Sequence, residues 1–169
     1  MKFNQLLIEQ VIEAESAAIL AVDCSFIPKS GKKTYGIDYF YNGSASRTEK
    51  GLEISAMAVI DVSQKCGYSI SVQQTPANIS SSEETRQPET TRIDYYLTQL
   101  RATIPYLPSS LRYVVSDGFY SKIKWVNGVT NLKLEAIGKL RRDANLRYLN
   151  QERYSGIGRP RKGSMKLKS

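Results

Sequence analysis

Two short apolar segments, each followed closely by an aspartate, constrain the fold of this chain more than any other feature. Residues 19–22 are apolar and end at Asp23, and residues 113–115 are apolar and precede Asp117 by one serine. A continuous apolar run of this length is typical of a strand buried on both faces of an α/β sheet. We therefore expect two buried strands of one sheet, each with a carboxylate at its carboxyl end.

Periodic patterns elsewhere predict helices and further strands around these two. Helical spacing of apolar residues occupies residues 3–19, 93–104 and 121–131, and strand-like patterns occupy residues 52–61, 68–72 and 134–140. This order predicts an α/β fold whose mixed sheet has three antiparallel strands and then parallel crossovers, with flanking helices. Residues 29–50 are predicted to form a long loop, residues 74–91 a linker, and residues 141–154 a basic helix.

The residue types that are absent restrict the chemistry. The chain has no histidine and only two cysteines, Cys24 and Cys66, which lie far apart in the sequence. Zinc sites of the usual spacing and histidine-based catalytic triads are therefore excluded, and the cysteines are expected to be reduced thiols packed in or near strands. Any acid or metal chemistry must depend on carboxylates. No apolar run reaches 18 residues and no signal peptide precedes the first strand, so we expect a cytoplasmic protein.

Positive charge is concentrated at the carboxyl-terminal end. The formal net charge is +8, and residues 139–169 contain ten lysines and arginines but only Asp143 and Glu152 as acids. A basic segment of this density is typical of a surface that binds nucleic-acid phosphates, although a solvated basic tail has the same composition.

The two aspartates admit two interpretations from the pattern alone. Side chains at the carboxyl ends of neighbouring strands in an open α/β sheet lie close together, and paired carboxylates suit Mg²⁺ or Mn²⁺. Alternatively, Asp23 and Asp117 each cap only the turn that follows its own strand.

Four segments of the sequence together resemble bacterial insertion-sequence transposases of the DDE superfamily. The first comprises residues 21–34, continued by residues 36–43 and 51–53. The others are residues 115–122 around Asp117, residues 138–149, which read GKLRRDANLRYL, and residues 158–162. The resemblance covers residues 20–163, and it implies an RNase H-like fold in which the first three strands are antiparallel and the fourth lies beside the first.

The resemblance also implies a site and a reaction. Asp23 and Asp117 would be two catalytic metal ligands, holding Mg²⁺ or Mn²⁺, with two ions in a complete enzyme. The reaction would be nicking and strand transfer of double-stranded DNA at transposon ends. A third acidic residue completes such sites, and Glu152 is a candidate. In the family, however, a largely β insertion precedes a glutamate-bearing helix, which leads us to expect a truncated chain without a secure third ligand.

The same resemblance suggests three segments in the chain. Residues 1–19 would be the helical remnant of a preceding domain, residues 20–154 a partial catalytic domain, and residues 155–169 a basic tail. Basic side chains on either side of the site are candidates for DNA contacts: Lys29, Lys32, Lys33, Lys139, Arg141, Arg142 and Arg147. Trp125 could stack on a nucleotide, but a single tryptophan in this position is more often part of the core.

Three functions remain open from the sequence. The first is a transposase fragment that is inactive alone because it lacks the third carboxylate. The second is a catalytically silent remnant that binds DNA through residues 139–169 or associates with a full-length transposase. The third is an independent nuclease that uses Glu152.

Overall fold

The computed structural model describes residues 2–12, 17–31, 33–77, 79, 91–140, 147–149 and 163–166. The chain forms two compact units, residues 1–139 and 140–169. In chain order, the first unit contains α1 (Lys2–Val11), β1 (Ala18–Pro28), β2 (Asp38–Asn42), β3 (Arg47–Asp61), β4 (Cys66–Gln74), α2 (Arg92–Thr103), β5 (Tyr113–Ser116), α3 (Ile123–Asn131) and β6 (Glu135–Gly138). Two 3-10 turns, Ile104–Tyr106 and Gly118–Tyr120, follow α2 and β5.

One mixed sheet organises the first unit. Its strand order is β2-β3-β1-β5-β6, and β4 pairs with β3 as well. The pairs that involve β3 are antiparallel, whereas β5 runs parallel to both β1 and β6. The predicted fold class is confirmed, because β1, β3 and β4 form the antiparallel part and the helices cross over to the parallel strands.

The long loop predicted over residues 29–50 is partly wrong. It contains β2, which pairs with the first residues of β3 from Asp38↔Gly51 to Asn42↔Arg47. β3 therefore begins five residues before the predicted start of its strand. The alternation in the sequence was broken there by charged residues, since this arm of the sheet projects into solvent and has little to bury.

The two faces of the sheet differ in burial. On β3, the odd-numbered residues from Gly51 to Asp61 are buried and the even-numbered ones are half-buried. Met57 and Val59 of the buried face pack with Leu20 and Val22 of β1 and with residues of all three helices. The second face carries small and branched apolar residues of β1 and β3: Ile19, Ala21, Ile54, Ala56, Ala58 and Ile60. None of these six belongs to the core cluster of the described residues.

Helix α2 begins at a capping box that ties it to α3. The Thr91 side chain accepts a hydrogen bond from the Asp94 backbone amide, and Asp94 Oδ2 accepts one from the Thr91 amide at 2.8 Å. Lys124 of α3 donates to the same carboxylate oxygen at 2.6 Å. Burial alone raises the pKa of Asp94, but the hydrogen bonds from Lys124 and Thr91 outweigh burial and lower it.

Replacing Thr91 with alanine is expected to lower the free energy of unfolding by about 1 kcal/mol, because the first turn of α2 loses its side-chain cap. The matched control is Thr98→Ala on the same helix, which removes only a hydrogen bond to the Asp94 carbonyl. Because the pKa of Asp94 is lowered on folding, its contribution is present above the usual carboxyl range and disappears as pH falls through the lowered pKa. Urea unfolding at neutral and acidic pH measures both effects. A Thr91→Ala loss that is equal at every pH would contradict this account.

The second unit contains one antiparallel pair of strands, β7 (Arg147–Leu149) and β8 (Gly163–Lys166). The helix predicted over residues 141–154 is therefore wrong at residues 147–149. A three-residue strand has too short an alternation to be distinguished from a helix by periodicity. The rest of that prediction, and most of the predicted basic tail, lies outside the described residues.

Candidate metal centre

Asp23 and Asp117 lie at the same level on neighbouring parallel strands. The register of β1 and β5 ends at Val22↔Ser116, so the next residues in each strand are the two aspartates. Asp117 continues the extended backbone, with φ −77° and ψ −177°. Neighbouring strands lie about 4.8 Å apart, and registered residues of parallel strands point to the same face. Since Leu20, Val22 and Val114 are buried in the core, alternation places both carboxylates on the second face of the sheet.

The sequence correctly predicted a carboxylate beyond β5 but misplaced Asp23 at a strand end. β1 continues to Pro28 and remains paired with β3 throughout, from Ala18↔Asp61 to Pro28↔Gly51. Asp23 is nevertheless exposed. The open position exists because β5 stops at Ser116, so that from this level onward one edge of β1 has no paired strand among the described residues. The candidate site therefore lies where β5 ends beside β1, which continues, and not where several strands end at the same level.

Each carboxylate uses one oxygen locally and keeps the other available. Asp23 Oδ1 accepts a hydrogen bond from the Cys24 amide at 2.8 Å, and Asp117 Oδ1 accepts one from the Phe119 amide at 3.0 Å. The capping interpretation is therefore true of Asp117, which begins the 3-10 turn. The local hydrogen bond occupies only one oxygen of each carboxylate. Oδ2 of each aspartate has no hydrogen-bond partner among the described residues.

These two side chains fit a hard divalent cation. Exposed carboxylate oxygens are the ligands that Mg²⁺ and Mn²⁺ prefer, and the amide donors hold each carboxylate in a fixed orientation. Within the described ranges, no cluster of three or more potential ligands is present. Glu53 on β3 is not an additional ligand, since it is buried on the opposite face, where it accepts from Tyr96 Oη at 2.5 Å. Glu152, a candidate third ligand from the sequence, lies outside the described residues.

A buried aromatic cluster supports the two strands beneath the carboxylates. Tyr120 Oη lies 2.9 Å from Cys24 Sγ, which connects the turn after Asp117 to the residue after Asp23. The Tyr120 ring packs at 4.8 Å from Trp125 and at 5.5 Å from Tyr96. Burial raises the pKa of all three ionisable groups, the Cys24 thiol and the Tyr96 and Tyr120 phenols, so the cluster is neutral.

The sequence did not indicate this contact of Tyr120 with Cys24. The only feature that could have suggested it is the position of Tyr120 three residues after Asp117. Trp125 is 1% exposed, so the prediction of a core tryptophan is confirmed. Both cysteines are free thiols located in strands, as predicted, but Cys66 is exposed and not packed.

The candidate DNA-binding residues of the first unit lie at two different levels of the sheet. Lys139 is exposed directly after the last register pair of β5 and β6, Ser116↔Gly138, and is therefore level with Asp117, whereas Lys29 and Lys33 are exposed beyond the end of β1. Six residues of strand separate Lys29 from Asp23, which corresponds to about 20 Å. Three further candidates, Lys32, Arg141 and Arg142, lie outside the described residues, and Arg147 lies in β7 of the second unit. None of the helices in the described ranges has the length and apolar character needed to cross a bilayer.

The strand order, with three antiparallel strands and a fourth beside the first, and the exposed carboxylate pair define an RNase H-like α/β domain with a candidate metal face. The chain belongs to the DDE superfamily endonuclease family, whose profile matches residues 2–168. Nucleases of this superfamily generally depend on divalent metal ions. The resemblance drawn from the sequence is therefore confirmed at the level of the superfamily.

Two kinds of solved structure are similar to this chain at low identity. A piggyBac transposase in a synaptic complex with hairpin DNA has 14% identity and a TM-score of 0.47 over 76% of this chain and 24% of its own. A Ciona intestinalis endonuclease V in complex with inosine-containing DNA has 15% identity and a TM-score of 0.36 over 81% of this chain and 54% of its own. This chain therefore spans about a quarter of the transposase and about half of the endonuclease. No curated protein matches it significantly.

Proposed function

We propose that this chain takes part in DNA strand cleavage and transfer during transposition, and that Asp23 and Asp117 are two of the metal ligands of the site. The observation that carries this proposal is the register of β1 and β5, which puts two exposed carboxylates side by side in a DDE superfamily chain. The metal would be Mg²⁺ or Mn²⁺, with two ions in the complete site. When bound, it would activate an attacking oxygen and stabilise a leaving one at a phosphodiester.

The chain's own residues hold and orient the two ligands. The amides of Cys24 and Phe119 each hold one oxygen of an aspartate and leave its second oxygen without a hydrogen-bond partner among the described residues. The contact between Cys24 and Tyr120 keeps the turn after β5 close to β1. Because it lies beneath the carboxylates, it limits how far Asp117 can move from Asp23. The partner would be double-stranded DNA of transposon ends, placed over the second face of the sheet.

We propose further that a third carboxylate must join Asp23 and Asp117 before DNA is cut. Among the described residues no acidic side chain does so. A site with two ligands binds metal more weakly and neutralises less of the charge at the phosphate than one with three. We therefore expect this chain alone to bind metal and DNA without efficient cleavage, and to gain activity from a full-length transposase in an oligomer.

Iron-directed cleavage tests the proposal without requiring turnover. Fe²⁺ substituted at the site, with ascorbate and peroxide, produces hydroxyl radicals that cut DNA within a short distance of the ion. A labelled duplex bound by this chain should be cut at a few adjacent positions, and Asp23→Asn or Asp117→Asn should remove that pattern while duplex binding in EDTA persists. Uniform cutting, identical in wild type and variants, would contradict a metal site that faces DNA.

Plasmid nicking with Mg²⁺ or Mn²⁺ separates the alternatives. We expect little nicking by the wild-type chain, and Glu152→Gln should make no difference to it. Strong nicking that Glu152→Gln abolishes would instead identify an independent nuclease that uses Glu152. Duplex binding with neither metal binding nor iron-directed cleavage would identify a catalytically silent DNA-binding protein.

A further inference from the structure

Three tyrosines between β1 and β3 are strongly exposed. The exposed fraction is 92% for Tyr35, 63% for Tyr39 and 58% for Tyr41. Tyrosine has a large apolar ring that is normally buried in part, so several exposed rings in one segment suggest a surface that another molecule covers. Exposed lysines accompany these rings: Lys29 and Lys33 lie in the same segment, and Lys50 lies on β3.

Tyr39 and Tyr41 belong to the same face of the sheet as the metal centre. Phe40 between them is fully buried, so alternation places both neighbouring rings on the other face. Tyr39 pairs with Lys50 and Tyr41 with Thr48 on β3. Asp23 pairs with Ala56 further along the same strand. Even-numbered residues of β3 share one face, and six residues separate Lys50 from Ala56, which corresponds to about 20 Å.

We call Tyr39, Tyr41, Thr48 and Lys50 the tyrosine stripe. Asn42 and Arg47 hydrogen-bond to Glu49 and lower the pKa of that carboxyl, and Arg47 also forms an ion pair with it, so the charge of the acid between Thr48 and Lys50 is compensated. Lys50 and Lys29 form no ion pair within the described residues and line one cleft with Phe26 and Pro28. The stripe thus combines two aromatic rings with one lysine, Lys50, that has no ion-pair partner among the described residues.

We propose that the tyrosine stripe binds an unpaired segment of DNA that flanks the position of cleavage. Bases stack on exposed aromatic rings, and lysines neutralise the backbone between them. Stacking needs a base whose face is accessible, which the interior of a duplex does not offer. Residues two apart on a strand lie about 7 Å from each other, twice the 3.4 Å rise of stacked bases, so the two rings suit separated bases.

This inference rests on the proposed function and extends it. At about 3.4 Å for each stacked nucleotide and about 7 Å for each separated one, the distance of about 20 Å between the stripe and Asp23 corresponds to about three to six nucleotides. The stripe would therefore hold a strand about three to six nucleotides from the phosphate at the metal centre. Binding of this kind would favour DNA that is unpaired near the cleavage position over an intact duplex.

Fluorescence anisotropy with a labelled twelve-nucleotide thymidine strand in EDTA tests the stripe with the full chain. Tyr39→Ala/Tyr41→Ala is expected to weaken binding at least about tenfold, since a stacked base contributes about 1–3 kcal/mol. Tyr39→Phe/Tyr41→Phe keeps the rings and should retain wild-type affinity. Phe3→Ala removes another exposed ring, on α1, and should also leave binding unchanged. Circular dichroism confirms that each variant is folded.

The contribution of Lys50 can be tested separately, through the salt dependence of strand binding. Lys50→Gln should reduce the dependence of binding on salt, by about 0.7 in the slope of log affinity against log salt for a single strand. Equal affinity of the wild type and the double alanine variant would overturn the proposal. So would self-association through β2 that the alanine variant loses while strand binding persists, because the stripe would then be a protein interface.

Strand binding measured in EDTA distinguishes a failure of this inference from a failure of the proposed function. Strand binding that persists in Asp23→Asn but fails in the stripe variant supports the stripe whether or not the iron-directed test succeeds. A positive iron-directed result together with unaltered binding by the stripe variant would overturn the stripe alone.

Discussion

Asp23→Asn and Asp117→Asn are each expected to abolish stabilisation of the protein by Mn²⁺. For the wild type, Mn²⁺ at ten times its dissociation constant should raise the free energy of unfolding by about 1.4 kcal/mol, because the ion binds only the folded chain. Either variant removes a charged ligand, so the same Mn²⁺ concentration should give almost no increase. Urea unfolding with and without Mn²⁺ measures the difference, and isothermal titration measures the ion directly.

The substitutions leave the local structure intact, which makes the result specific to metal. Asparagine is as good a helix-capping residue as aspartate, so Asp117→Asn should keep the hydrogen bond from the Phe119 amide. In EDTA both variants should be as stable as the wild type or slightly more, since two carboxylates on neighbouring strands repel each other. Glu135→Gln on β6 is the matched control for loss of an exposed acid. Undiminished Mn²⁺ stabilisation in both aspartate variants would show that the ion binds elsewhere.

Trp125→Ala is expected to lower the free energy of unfolding by about 3–5 kcal/mol, the range typical of large aromatic deletions in cores. Trp125 is 1% exposed and its ring packs 4.8 Å from that of Tyr120. The cavity would lie directly beneath the turn that carries Asp117. Urea or thermal unfolding measures the loss of stability.

The neighbouring residue provides the control. Val126 is 43% exposed on the same helix, and Val126→Ala should change stability by less than about 0.5 kcal/mol. Trp125→Phe should lie between the two, because it keeps an aromatic ring and removes an indole Nε1 that has no hydrogen-bond partner among the described residues. A Trp125→Ala loss below about 1 kcal/mol would contradict a tightly packed cluster.

The parts of the fold that bury apolar residues could be predicted from the sequence. β5 and α3 were predicted within two residues of their ends, because a short apolar run and a regular helical face leave few alternatives. β2 was missed because its Asp-Tyr-Phe-Tyr-Asn segment buries only Phe40 and lies among turn-forming residues. Sequence patterns indicate mainly which residues are buried, and an exposed arm of a sheet buries few residues.

The candidate site was predicted in its residues but not in its geometry. Two aspartates after apolar runs were visible, yet the continuation of β1 to Pro28 depends on pairing with β3 far along the chain. The contact of Cys24 with Tyr120 likewise joins residues 96 positions apart. Neither residue carries a pattern that indicates the other, so long-range pairing had to come from the structure.

The parallel register of β1 and β5 also has a consequence for the order of events during folding. Asp23 and Asp117 are brought together only by a pairing between distant parts of the chain, and such pairings form slowly compared with local hairpins such as β3 with β4. A nascent chain that has made only its hairpins has not yet brought the two carboxylates together. The candidate metal site is thus assembled only when the parallel strands have joined.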